Sequence, residues 1–237
     1  MDQMTVSSFV NEESQLSSTY IEAISVNIAN TAIVHEPSHF YHISKRVIDI
    51  LGSLAGLLVL MPVFLMIALL IKLDDGGKVL HFREIIGKNG RRFYALKFRT
   101  MIPDADMYLL KHPQMMKRYQ QNMKLANDPR ITHIGKWLRR TSLDELPQLL
   151  NVLRGDMSLV GPRMIHPSEL PRYHEWGQKR LTVKPGITGL WQIRRRHSGS
   201  YKERIVLDMQ YIDERSLGSD LAILFKTFKV FIIHTGA

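Results

Sequence analysis

The sequence contains no cysteine. A disulfide framework and a thiolate metal site are therefore excluded. This fits a reducing compartment without requiring one. The first 44 residues also lack Lys and Arg, while carrying the acids Asp2, Glu12, Glu13, Glu22 and Glu36. The other 17 acids and all 32 basic residues follow, giving that part a net charge of +15 in a chain whose total is +10. Such an excess implies an anionic partner: nucleic acid, a phospholipid surface or a phosphorylated substrate. Ten His residues show no HExxH or other zinc spacing, and there is no P-loop, no GxGxxG, no internal repeat and no low-complexity tract. The N-terminal stretch has neither a basic n-region nor a long apolar core, so it does not follow the pattern of a signal peptide. Its Ser, Asn and Glu content predicts a mobile or weakly helical tail.

The 237 residues suit one domain with appendages and allow a substantial core. One apolar run stands out. The 22 residues from Ile50 to Ile71 are uncharged, and as a helix they would extend about 33 Å, enough to cross a bilayer core. Pro62 lies near the middle, where it removes a backbone donor and favours a kink. Both flanks are basic: Lys45 and Arg46 before, and Lys72, Lys78, Arg83 and Lys88 after. The positive-inside rule then sets no orientation. A helix that bends at Pro62 and returns to its own side satisfies both flanks; a kinked span is the alternative. No second comparable run exists, which argues against a multi-span transporter.

Beyond this run, two β-rich stretches flank Asn89-Gly90, a strong hairpin signal. Residues 103–128 read as helix interrupted near His112-Pro113. A short helix is expected in "PRITHIGKWLRR", and another in "PSELPRYHEWGQKRL". "VKPGITGLWQI" reads as a loop entering an extended piece. Two closing helices are expected in "SYKERIVLDMQYIDE" and "SDLAILFKTFKVFIIH".

The chemistry-bearing pair is Asp144-Glu145, between Arg139-Arg140 and an apolar run. Ser142-Leu143-Asp144-Glu145 matches a capping box, in which the acids merely start a helix. Pro147 fits better if Asp144 is the cap, because it then falls among the orphan donors. A helix start there would gather free N–H groups and favour anions such as phosphate. Carboxylates also suit Mg²⁺, which bridges protein acids and substrate phosphates, and Arg139, Arg140 and Arg163 are suited to a diphosphate. From spacing alone, cap and reactive centre stand level. Asp104-Ala105-Asp106 has a D-x-D form but opens a helix, and Asp74-Asp75-Gly76-Gly77 reads as a turn. Trp137, Trp176 and Trp191 read as core or membrane-interface residues.

Taken together, "KRVIDI", "KFRTM", "LRRTSLDELPQLLNVLRGDMSLVGPR", "VKPGITGLWQ" and "LDMQYI" resemble, in this order, the bacterial sugar transferases. These are the monotopic polyprenyl-phosphate phosphoglycosyl transferases. The resemblance covers about residues 43 to 233. It implies an α/β, mainly helical, monotopic membrane protein. One re-entrant N-terminal membrane helix would precede a cytoplasmic catalytic domain containing a small β-hairpin and amphipathic interfacial helices. Residues 1–42 would be an acidic tail, 43–73 the membrane helix broken at Pro62, and 74–237 the transferase domain. The implied activity is transfer of a sugar 1-phosphate from a UDP-sugar to undecaprenyl phosphate, releasing UMP and starting exopolysaccharide or glycan assembly at the bacterial inner membrane. The family's nucleophile falls on Asp144 and its Mg²⁺ ligand on Glu145. Substrate contacts fall on Arg139, Arg163, Arg196, Asp208, Lys97 and Arg99. No nucleic-acid partner is implied, and homo-oligomerisation is left open. Met61 stands where the family usually has Ser, Met164 where it usually has Pro, and after "GLWQ" only Arg196 matches. A non-enzymatic basic anchor for anionic lipid or nucleic acid is the rival reading. A D-x-D glycosyltransferase that releases UDP is another.

Overall fold

The structure, a computed structural model, describes residues 37–122, 125, 127–195 and 200–234. It is mostly helical with two small sheets. Helices α1 (His39–Val59) and α2 (Met61–Asp75) come first, then strands β1 (Leu80–Ile86) and β2 (Arg92–Phe98). Helices α3 (Ala105–Leu110), α4 (Pro113–Asn122), α5 (His133–Thr141) and α6 (Gln148–Arg154) follow. Then come β3 (Ser158–Val160), α7 (Gly177–Arg180), β4 (Gly186–Thr188), α8 (Leu190–Arg195), α9 (Tyr201–Glu214) and α10 (Leu217–His234). β1 pairs with β2, and β3 pairs in parallel with β4 through Ser158–Gly186 and Val160–Thr188.

The chain forms two compact units. The first contains residues up to 56, 83–95 and 148 onward; the second contains 57–82 and 96–147. In the first, Ile86, Val160, Ile165, Leu170, Tyr173, Leu181, Ile212 and Ile223 form the main buried cluster, and Ile85, Phe93, Val152 and Met157 a smaller one. In the second, Ile67, Ile71, Phe98 and Leu138 are the buried centre.

No single helix among the described residues is long and apolar enough to cross a membrane. α1 and α2 pass that test together, bent by 60°. The break falls at Leu60, and Pro62 lies in the first turn of α2. There a proline has no intrahelical bond to forfeit and its fixed φ suits the helix. Large apolar side chains remain exposed on both helices: Ile43, Val47, Leu51 and Leu54 on α1, and Leu65, Leu69 and Leu73 at helical spacing on α2. On each helix, rows of exposed large apolar side chains are unusual for a face turned to water.

The "KRVID" stretch is fixed to the first unit by specific bonds. Lys45 Nζ donates to Asp220 Oδ2 (2.8 Å) and to the Val160 carbonyl (2.9 Å). Arg46 donates to the carbonyls of Val152 (2.7 Å) and Leu153 (2.8 Å), capping the last turn of α6. Asp49 Oδ1 accepts from Ser158 Oγ (3.0 Å) and the Leu159 N–H (2.9 Å). Lys45 and Arg46 are therefore anchors within the protein, not only a basic flank.

Three local expectations are corrected. Asp144 does not cap a helix: Leu143–Glu145 is a 3₁₀ turn, and α6 begins at Gln148, after Pro147. Ser142, left-handed at φ 57°, ends α5 so abruptly that no side-chain cap forms. Leu143 and Leu146 pack into the core on either side of the acids, which sets the turn. Second, residues 167–176 form a 3₁₀ stretch, interrupted by Pro171 and by His174 at φ 47°, ahead of the four-residue α7. Third, the extended piece in "VKPGITGLWQI" is limited to β4, and Leu190–Arg195 after it is helical. The hairpin is present, with Asn89 at φ 56° and Gly90 at φ 75° in its loop.

Candidate active site

In the second unit the Asp144-Glu145 turn meets β2. Lys97 Nζ lies 2.7 Å from Glu145 Oε1 and 3.7 Å from Asp144 Oδ2. One ammonium thus serves both acids. Asp144 is buried at 8% exposure, and Glu145 and Lys97 are half-buried. A desolvated carboxylate next to a fixed cation is held in one orientation and shielded from bulk water.

Arg139 comes from the last turn of α5, and its Nε donates to Thr100 Oγ1 at 2.8 Å. The residue as a whole stays exposed, yet its head group is packed closely enough that desolvation lowers its pKa; the Asp144 and Asp128 carboxylates oppose this. Three features bring α5 here. Thr132 caps it, its Oγ1 accepting from the Gly135 N–H at 3.0 Å. The Thr132 N–H bonds the Thr100 carbonyl (3.2 Å), and the Ile102 N–H bonds that of Arg130 (2.8 Å). Gly135 lies so close to the strand end that a Cβ would sit 2.1 Å from the Thr100 carbonyl oxygen. The preceding loop is clamped by Asp128 and Arg130, both buried, through bonds of 2.9 and 2.7 Å.

Arg99, two residues beyond Lys97, is engaged elsewhere. Its guanidinium is bidentate to Asp75, the last residue of α2, with Nη1 2.6 Å from Oδ2. Its hydrogen bonds lower the Asp75 pKa. The Asp74–Gly77 segment is thereby tied to the strand.

The first unit holds Arg163 and Asp208. Arg163 follows Gly161-Pro162 and remains partly exposed. Its backbone runs beside β4: the Gly186 N–H donates to the Pro162 carbonyl (2.9 Å), and the Gly161 N–H to that of Thr188 (2.9 Å). A Cβ on Gly186 would fall 2.1 Å from Gly161 N, so this approach admits only glycine. Asp208, 1% exposed, accepts from the Arg163 N–H (3.4 Å) and the Tyr173 hydroxyl (2.7 Å). Burial raises the Asp208 pKa, against the pull of Arg180 and Arg204.

Of the residues named from sequence, Lys97, Arg139, Asp144 and Glu145 thus gather in one unit, and Arg163 and Asp208 meet in the other. Arg196 lies outside the described residues. Asp104 and Asp106 flank the start of α3, and no group of three or more His, Cys, Asp or Glu suited to a metal exists among the described residues. Sequence reasoning missed the Asp128–Arg130 clamp, whose only signal is the short Asp-Pro-Arg turn. It also missed Arg180 and Arg204, which carry no local signal.

The model of the bacterial sugar transferase family matches residues 40–234. This chain belongs to that family. The exopolysaccharide production protein ExoY of Rhizobium meliloti (strain 1021) is 43% identical to this sugar transferase over 198 residues, 82% of this chain and 88% of that protein. The UDP-galactose-lipid carrier transferase of Erwinia amylovora is 40% identical over 220 residues, 91% of this chain and 45% of that protein. The undecaprenyl-phosphate galactose phosphotransferase of Salmonella typhimurium (strain LT2) is 43% identical over 198 residues, 81% of this chain and 41% of that protein. This sugar transferase therefore matches nearly the whole of ExoY but less than half the length of the other two.

Proposed function

We propose that this sugar transferase moves a sugar 1-phosphate from a UDP-sugar to undecaprenyl phosphate, as the first membrane step of exopolysaccharide or glycan assembly. The observation that carries the reading is the shared Lys97 contact to two adjacent carboxylates, one buried, on a 3₁₀ turn. The names of the relatives supply the lipid carrier and the phosphosugar.

In the proposed mechanism an Asp144 carboxylate oxygen attacks the β-phosphorus of the UDP-sugar. A carboxylate–phosphorus bond forms, the bond from that phosphorus to the bridging oxygen breaks, and UMP departs with the electron pair. A phosphate oxygen of undecaprenyl phosphate then attacks the same phosphorus and expels the Asp144 carboxylate. Lys97 fixes the dyad before the reaction and offsets the charge of an incoming diphosphate. Arg139, anchored through Nε on Thr100, is assigned to donor phosphate. Arg163 is assigned to substrate phosphate by the same chemistry.

The donor set fits Mg²⁺. Asp144 and Glu145 are hard oxygen donors, the type that Mg²⁺ prefers, and such a cation commonly completes its shell with substrate phosphate and water. Glu145 would hold it, and when bound it supplies charge neutralisation at the diphosphate.

The bent α1–α2 pair, with its exposed apolar faces, supports a re-entrant membrane helix that keeps both chain directions on the cytoplasmic side. Incubation of purified protein with polyprenyl phosphate, Mg²⁺ and a panel of UDP-sugars tests the proposal. UMP release dependent on one sugar is expected. Release of UDP would instead identify a transferase that moves the sugar without its phosphate.

A further inference from the structure

The peptide of Arg163 is gripped at both ends by side chains from other elements. Its N–H donates to Asp208 Oδ1 on α9 (3.4 Å), and its carbonyl accepts from Arg180 Nη2 at the end of α7 (2.8 Å). The next carbonyl, that of Met164, accepts from Arg204 Nη2 (3.3 Å). Arg180 is fully buried, at 0% exposure. Its Nε and Nη1 have no hydrogen-bond partner among the described residues.

A guanidinium buried on one hydrogen bond and a neighbouring carboxylate is a poor source of stability. Apolar side chains of similar volume often serve as well or better. What Arg180 does provide is a rigid planar donor that fixes the Arg163 carbonyl while Asp208 fixes the N–H. The Arg163 side chain, by contrast, stays partly exposed.

We infer that Arg180, together with Asp208, is a positioning residue: it locks the Arg163 backbone and so sets the direction in which the Arg163 side chain leaves the loop toward substrate phosphate. This rests on the assignment of Arg163 to substrate phosphate. Neither Arg180 nor Asp208 touches substrate on this account; both act through the Arg163 backbone. The same grip explains why a short loop after Gly161-Pro162 needs two buried, oppositely charged side chains behind it.

A double-mutant cycle tests the inference. Arg180→Lys keeps the charge facing Asp208 but loses the planar fork. In the otherwise native protein it should raise KM for the UDP-sugar about tenfold, the scale of one charged hydrogen bond, with little change in kcat. In an Arg163→Ala background the same substitution should have no further effect on KM, because its route of action is gone. Thermal melts confirm folding of each variant, and Arg180→Gln, neutral but still a donor, enters the same cycle if Arg180→Lys does not fold. An equal rise in KM in both backgrounds, or an unchanged KM in a folded variant, overturns the positioning role. If Arg163→Ala alone leaves KM unchanged, the assignment of Arg163 itself falls, and the role of Arg180 with it.

Discussion

The Lys97 ammonium donates to Glu145 across 2.7 Å while standing 3.7 Å from the carboxylate of the neighbouring Asp144. Lys97 reaches them from β2, so the dyad is supported by an element distant in sequence. Lys97→Met should leave two adjacent acids without their shared cation. We expect kcat to drop about a hundredfold, in the range found for loss of one preorganised electrostatic contact. Steady-state UMP release, with a melting curve to confirm folding, measures this. Near-native turnover would show that Lys97 is only a structural partner.

Gly135 sets the distance between α5 and the strand end. Gly135→Ala would push a Cβ against the Thr100 carbonyl, a backbone atom that cannot swing aside. Destabilisation of about 1–3 kcal/mol is expected, with loss of activity as Arg139 moves. Denaturant melts of Gly135→Ala and of Lys136→Ala, on the exposed side of the helix, provide the comparison.

The Asp128–Arg130 clamp has a signed pH dependence. Bonds from Arg130 lower the Asp128 pKa; burial opposes them but does not win. A depressed carboxylate stabilises the fold above its unfolded value, about 3.9. That contribution disappears as pH falls through the folded pKa. Asp128→Asn should therefore cost about 1 kcal/mol at neutral pH, and the gap from native protein should close in acid. A gap that persists at low pH would mean that the clamp works through shape alone.

The bend at Leu60 predicts which side of the membrane each flank occupies. In a chain without cysteine, Ser38→Cys and Glu175→Cys are clean reporters. On a re-entrant helix both should resist a membrane-impermeant thiol reagent in intact cells and react after lysis. Labelling of Ser38→Cys alone in intact cells would establish a true span.

Much of this architecture was legible from residue pattern. The Asn89-Gly90 hairpin and the break at His112-Pro113 carried their own turn chemistry. The start of α6 was not legible. The capping signals at Ser142 and Asp144 are real in isolation, but burial of Leu143 and Leu146 draws the chain into a 3₁₀ turn first. Tertiary packing outweighs a cap that contributes about 1 kcal/mol. Similarly, "LWQI" has strand-forming residues, yet Leu190 and Ile193 pack against the main core from a helix. At the site, Asp144 and Glu145 were visible as unusual acids in a basic chain. The contact that supports them was not, because Lys97 on Glu145 is a pairing across 48 residues; in the other unit, Arg180 on the Arg163 carbonyl is likewise a pairing across 17 residues.

The central claim is that Asp144 carries the phosphosugar. Its most direct measurement is the intact mass of the protein after rapid quenching with UDP-sugar in the absence of lipid acceptor. The native protein should gain the mass of one phosphosugar, located by peptide mapping to Asp144 and discharged on adding undecaprenyl phosphate. Asp144→Asn should gain none while melting as the native protein does. UMP release by Asp144→Asn at the native rate, or an adduct mapped to another residue, would contradict the account.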